Sequence, residues 1–190
     1  MADRTGTHEL GPANGRVLVK TGREGLAARV GHDLTLEITR WSARVTFPAE
    51  GGGAAETLTA ELDLGSLAVR AGSGGAKPLS DKDRRDIEKQ AGKILGGSGP
   101  ARFDSTRVVP SASAAGGGAI EGTLMLNGVS QPFRLTVTNP EPGRYQGSTA
   151  IRQTSFGLTP YSGFFGALKL RDEVQVEFEI TIQEPPNGPV

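Results

Sequence analysis

Hydrophobic and polar residues alternate along most of this chain. Leu34, Leu36 and Ile38 alternate with Thr35, Glu37 and Thr39, and Trp41, Ala43, Val45 and Phe47 with Ser42, Arg44 and Thr46. After a turn at Glu50-Gly51-Gly52-Gly53, Leu58, Ala60, Leu62 and Leu64 alternate with Thr57, Thr59, Glu61 and Asp63. The period resumes at Phe103, then at Ile120, Leu124 and Leu126, and returns through Phe133, Leu135 and Val137 after Asn127-Gly128. Asn-Gly between two such runs marks a tight hairpin, because both residues tolerate positive φ. A further strand falls near residues 145–151, and Val174, Val176, Phe178, Ile180 and Ile182 close the series. A period of two places one apolar and one polar face on each strand. Such a sheet must fold back on itself, as a sandwich or a barrel, and about eight strands suffice to close a barrel around side chains or one small ligand.

One segment changes period. Ser80 stands three residues before Asp83, in the manner of a capping box. Ile87, Ala91, Ile94 and Leu95 then share one helical face, and Gly96-Gly97 ends the run. The spacing predicts a single helix over 81–95. Residues 1–14 lack the alternation and read as a flexible N-terminal tail, 15–183 as one barrel domain, and 184–190 as a C-terminal tail. Ala71-Gly72-Ser73-Gly74-Gly75 reads as a loop.

Composition narrows the function. Twenty-one basic and 21 acidic residues cancel, which lacks the basic footprint of a nucleic-acid binder. There is no cysteine, so disulfides, thiolate metal sites and cysteine nucleophiles are excluded. No stretch approaches the ~20 apolar residues of a membrane span, and the first ten residues carry no apolar run. The expected location is therefore cytoplasmic.

Candidate chemistry is sparse. His8 and His32 are the only histidines. Asp33 follows His32 directly, so along a strand the two point to opposite faces and form no oriented dyad. A structural hydrogen bond at the barrel mouth is the expected role of His32. No Gly-x-Ser-x-Gly elbow and no phosphate-binding glycine loop occurs. An EF-hand loop counted from Asp81 would need glycine and glutamate where Asp86 and Gly92 stand. Asp81 and Arg85 are spaced as a helical i, i+4 pair on a solvated face. No catalytic residue, metal or cofactor is expected, and the chain is not read as an enzyme. Phe156, Tyr161, Phe164 and Phe165, interleaved with Gly157, Gly163 and Gly166, are expected to line or gate an apolar pocket.

Several motifs resemble the YceI-like family of lipocalin-fold, polyisoprenoid-binding proteins. The stretch Ile120 to Leu135 resembles the family's hairpin, a glycine-leucine strand, a glycine turn and a Ser-x-Pro return through Ser130 and Pro132. Gly99-Pro100-Ala101-Arg102-Phe103-Asp104-Ser105 is similar to its proline-led strand. Residues 151–158 and Leu170-Arg171-Asp172-Glu173-Val174 resemble its Phe-Gly segment and Asp-x-Val strand start, and Gly31-His32-Asp33-Leu34 the first hairpin of a histidine-containing branch. Two departures stand out. Gln153 holds the place of an arginine before Phe156-Gly157, and the charged helix replaces an Arg-Asp-x-His-Leu stretch. The likeness spans roughly 15–183.

The resemblance implies a closed eight-stranded antiparallel lipocalin-like barrel with one short helix. It implies non-covalent binding, storage or transport of an elongated lipophile, a polyisoprenoid or isoprenoid quinone. The competing reading is a ligand-free interaction or stress-response module whose barrel is filled by its own side chains. The expected ligand-contacting set is Leu34, Leu36, Trp41, Leu62, Phe103, Leu124, Leu126, Phe133, Leu135, Gln153, Phe156, Tyr161, Phe164, Val176 and Phe178, with His32. The lipophile is the expected partner, and self-association as a homodimer stays open.

Overall fold

The structure, a computed structural model, describes residues 5–49, 56–95, 97–110 and 117–182. Its strands in chain order are β1 (Gly6–Leu10), β2 (Gly15–Thr21), β3 (Arg23–Glu24), β4 (His32–Ile38), β5 (Trp41–Phe47), β6 (Thr57–Leu62) and β7 (Leu67–Gly74). After the helix α1 (Asp81–Leu95) come β8 (Ala101–Pro110), β9 (Gly118–Leu126), β10 (Val129–Glu141), β11 (Arg144–Arg152), β12 (Ser162–Gly163), β13 (Leu168–Leu170) and β14 (Glu173–Thr181). Eleven strands form one antiparallel sheet in the order β1-β5-β6-β8-β9-β10-β11-β14-β2-β4-β7, and a second sheet has the order β12-β13-β3.

The large sheet curls on itself, but among the described residues no strand ladder joins its end strands β1 and β7. β4 and β5 lie near opposite ends of the strand order, yet only Thr39 and Arg40 separate them in the chain. A short 3-10 turn, Leu64–Ser66, links β6 to β7 beside that corner. The two connections are stitched together: Asp63 N donates to the Arg40 carbonyl at 3.0 Å, the Thr39 hydroxyl to the Ser66 carbonyl at 2.8 Å, and Arg40 pairs with Asp63 at 2.8 Å. Beyond the corner, α1 takes the place of a neighbouring strand. Val69 N of the edge strand β7 donates to Glu88 Oε1 at 2.8 Å, and Arg84 donates to the Val69 and Arg70 carbonyls, each at 3.2 Å. An unpaired strand edge invites misassociation, and here helix side chains occupy it.

The closed eight-stranded barrel expected from sequence is therefore corrected to an open, curled sheet of eleven strands with a helix along one edge. Residues 6–10, expected in a tail, form β1 instead. They pair with β5, and Leu10 is buried. Their polarity concealed this, because an edge strand with exposed residues shows little alternation. The predicted loop at 71–75 is largely strand as well, since β7 runs to Gly74 and pairs with β4 through Gly72 and Ser73. The predicted turn at 50–53 and the C-terminal tail lie outside the described residues.

The other readings hold at the level of particular residues. The helix spans 81–95, and its capping box forms: Ser80 N donates to Asp83 Oδ2 at 2.9 Å, and Asp83 N to Ser80 Oγ at 3.2 Å. The i, i+4 ion pair on it joins Lys82 to Asp86 rather than Asp81 to Arg85. Asn127 and Gly128 adopt φ of 53° and 72°, as a type I′ turn requires, and Leu126 pairs with Val129 across it.

Charges lie on the outer face of the sheet and pair across strands. Register partners Glu9 and Arg44, Glu61 and Arg102, Glu121 and Arg134, and Arg16 and Glu179 are all ion-paired. Each exposed pair contributes only about 0.2–1 kcal/mol.

Candidate binding cavity

The inner face of the curled sheet encloses a cavity of about 890 Å³. Its wall comes from alternate residues of nearly every strand, such as Val17 and Val19 on β2, Leu34, Leu36 and Ile38 on β4, and Leu58, Ala60 and Leu62 on β6. α1 completes the wall with Ile87, Ala91, Ile94 and Leu95, the stripe that the sequence placed on one helical face. That volume is at the large end of the ~300–1,000 Å³ usual for small-molecule sites.

The hollow also shapes the core. Residues such as Leu10, Ile38, Trp41, Phe103 and Phe156 are buried, whereas Phe133, Leu135, Ile151, Val176 and Phe178 are half-buried although they pack against the same cluster. All of the second group line the cavity, as do Ile38, Trp41 and Phe103 of the first. Two glycines let aromatic rings lie flat on the neighbouring strand. A Cβ on Gly122 would come within 2.7 Å of the Phe103 ring, and one on Gly147 within 2.7 Å of the Phe178 ring. Phe103 and Phe133 meet edge to face at 6.2 Å.

All the sequence-predicted ligand residues except Phe156 lie on the cavity wall: Leu34, Leu36, Trp41, Leu62, Phe103, Leu124, Leu126, Phe133, Leu135, Gln153, Tyr161, Phe164, Val176, Phe178 and His32. Phe156 is corrected to a core residue. It ends a 3-10 turn, Gln153–Phe156, tucked beneath the β9–β10 hairpin, where Asn127 Nδ2 donates to its carbonyl at 3.0 Å and Gln131 Nε2 donates to the Ser155 carbonyl at 2.8 Å. Phe165 leaves the expected aromatic lining too, being fully exposed. Thr21, Arg23, Leu168 and Leu170 line the cavity without having been singled out. Val17 and Val19 were legible from the alternation beginning at Gly15. Leu168 and Leu170 sit in a strand too short to show a period.

The mouth lies between α1 and the small sheet, where the exposed lining residues are Val30, Ala76, Lys77, Asp86 and Phe164. Polar groups here are committed to one another. His32 Nε2 donates to the Lys77 carbonyl at 2.8 Å; a carbonyl only accepts, so this nitrogen carries the proton. Asp33 accepts from Arg23 N at 2.9 Å and pairs with its guanidinium at 3.6 Å, while that guanidinium also donates to the Ser73 carbonyl at 2.7 Å. His32 and Asp33 are thus separate fastenings of the mouth, as their adjacency on a strand implied. Gln153 Nε2 donates to the Arg171 carbonyl at 3.0 Å, and the Asp172 carboxylate accepts from Thr154 N at 2.8 Å and from its hydroxyl at 2.6 Å. The Thr154 hydroxyl, then its N–H, holds the Asp172 carboxyl below the usual aspartate range. These contacts fix the turn after β11 to the start of β14. They leave the interior to apolar side chains.

Among the described residues no group of three His, Cys, Asp or Glu side chains is placed to hold a metal ion, and no helix is long and apolar enough to cross a membrane. No curated protein matches the chain. Among solved structures, BcnA of Burkholderia cenocepacia superposes with a TM-score of 0.63 at 17% identity, covering 90% of this chain and 98% of that one. The Campylobacter jejuni YceI protein aligns with a TM-score of 0.43 at 14% identity, over 78% of this chain and 85% of that one. The family model for the YceI-like domain matches residues 18–182. The match covers nearly all of the cavity-bearing fold, and the chain belongs to the YceI-like family.

Proposed function

We propose that this protein binds an elongated lipophilic molecule non-covalently inside the curled sheet and stores or carries it, the ligand being a polyisoprenoid chain or an isoprenoid quinone. The observation that carries this reading is the cavity of about 890 Å³ walled by aliphatic and aromatic side chains. A ligand of repeated apolar units suits such a wall, since each buried methylene contributes roughly 0.8 kcal/mol and needs no directed partner. A few isoprene units would offset the ordering cost of association. A strand of nine residues, such as β9, spans only about 30 Å, so a long prenyl chain would bend inside or protrude through the mouth. The competing reading, a barrel filled by its own side chains, is disfavoured by the same cavity and by the half-buried Phe133, Leu135 and Phe178 that face it. Binding of this kind requires no catalytic group.

Native mass spectrometry of the protein purified from its source tests the proposal. Retained mass that matches an isoprenoid series and disappears on solvent extraction supports it. A clean unliganded mass, together with no uptake of added quinone or polyprenol, contradicts it.

A further inference from the structure

Among the described residues, the large hydrophobic side chains left exposed are Leu26, Val30, Phe164 and Phe165. All four gather at one end of the molecule. β13 pairs with β12 through Gly163 and Leu168 and with β3 through Lys169 and Glu24. The turn after β12 therefore carries Phe164 and Phe165 beside the chain leaving β3, which carries Leu26. Ala27 N donates to the Ala167 carbonyl at 2.8 Å, and a Cβ on Gly31 would meet the Leu168 side chain at 2.6 Å, so the segment through Val30 lies along the same hairpin. Val30 and Phe164 also line the cavity, whereas Leu26 and Phe165 do not. An apolar strip thus runs from the cavity wall over the lip of the mouth into solvent.

Two further observations mark this tip as more than a connection. Phe164 and Phe165 both adopt left-handed backbone, with φ of 50° and 54°, a conformation costly for aromatic residues and usually left to glycine or asparagine. The chain keeps two phenylalanines there and exposes them. Around them stand Arg29, Lys169 and Arg171, all exposed and none in an ion pair, with Glu24 on the small sheet and Asp172 beside Arg171 as neighbouring acids. On the large sheet, Arg16, Lys20, Arg44, Arg102 and Arg134 are each paired with an acid on a neighbouring strand.

We propose that the tip formed by Leu26, Val30, Phe164 and Phe165 inserts into the surface of an anionic lipid bilayer and holds the cavity mouth against it. Apolar points ringed by unpaired cations suit a phase that is apolar inside and negative at its surface. A second copy of the chain is the poorer occupant. A twofold contact through this tip would set Arg29, Lys169 and Arg171 against their own counterparts. Across the mouth, Asp83 and Asp86 of α1 line the opening together with Lys77, and none of the four exposed large apolar residues lies on that side, so the small sheet enters first. Docked this way, the cavity and the bilayer interior are bridged by Val30 and Phe164, and a lipophile could pass between them without crossing water. The transfer role rests on the proposed lipophile binding. The docking rests on the surface alone.

Co-sedimentation with vesicles tests the docking. The intact protein is mixed with vesicles of phosphatidylcholine alone, or of phosphatidylcholine with phosphatidylglycerol. The expected result is binding to the anionic vesicles that weakens as salt rises. Leu26→Ser and Phe165→Ser should each lower vesicle affinity about tenfold, the worth of burying one large apolar side chain. Lys169→Glu should weaken binding to the anionic vesicles only. In parallel, saturable binding of a water-dispersed quinone by Leu26→Ser and Phe165→Ser should equal that of the parent, because neither residue lines the cavity; loss of that binding in the parent would sink the carrier reading and leave the docking standing. The docking is overturned if the parent stays in solution with both vesicle types or if the tip variants sediment as it does. It is equally overturned if these variants merely convert a dimer to a monomer.

Discussion

The large curled sheet and the small sheet at its mouth obey opposite rules. In the large sheet, apolar side chains turn inward and charges turn outward, where they pair across strands. In the small sheet the strands have two or three residues, Phe164 and Phe165 stand exposed on the turn after β12, and the exposed cations Arg29 and Lys169 are in no ion pair, although Arg23 pairs with Asp33. The first arrangement is what makes a stable scaffold with a hollow. The second contributes little to folding and so is free to serve contact. Stability and recognition are thus divided between regions, and substitutions in each should have different consequences.

The largest effect should come from the shared core and cavity wall. Phe103→Ala removes a buried ring that contacts Gly122 and Phe133, and we expect a loss of about 3 kcal/mol in chemical denaturation. The matched truncation Phe165→Ala should leave stability within about 0.5 kcal/mol of the parent. Equal losses at the two sites would erase the contrast between the regions.

An intermediate effect is expected at the helix. Ile94 lies on the stripe that walls the cavity, and Ile94→Asp would set an unpaired charge on an apolar surface, costing about 1–3 kcal/mol and a few degrees of melting temperature. An unchanged melting curve would mean that α1 does not rest against the sheet edge.

The smallest effect concerns the fastening between Thr154 and Asp172. Hydrogen bonds from Thr154 depress the folded-state pKa of Asp172. Its contribution is therefore present above the ordinary aspartate value of about 3.9 and is lost as pH falls through the folded-state value. Thr154→Val should melt slightly below the parent at neutral pH, with the gap closing in acid. A gap that persists or widens at low pH would contradict this account.

How much of this was legible depended on length and period. The long strands and the helix were, because each carries enough alternate or helical-face residues to reveal its buried side. The cavity wall was legible for the same reason: core and cavity share one face, so reading inward residues from Leu34 to Phe178 read the wall as well. β1 stayed hidden because Leu10 is its single apolar residue. β3 and β12 are two residues long and carry no period. Phe156 was misplaced because a 3-10 turn, not strand alternation, sets its direction. Closure was misjudged because it depends on Arg84 and Glu88 satisfying the β7 edge, a long-range contact with no local signature.

The central claim is that the inward face encloses space for a lipophile. Val176→Trp tests it most directly, because Val176 is half-buried on β14, between Val19 and Thr149, and points into the cavity. Titration of the parent and the variant with a short-chain isoprenoid quinone, each paired with a thermal melt, gives both halves of the answer. The account predicts saturable binding by the parent with a negative heat-capacity change, binding by the variant about tenfold weaker or lost, and little change in melting temperature. A variant that melts far lower because the indole is forced into a packed interior, or that binds the quinone as the parent does, would contradict it.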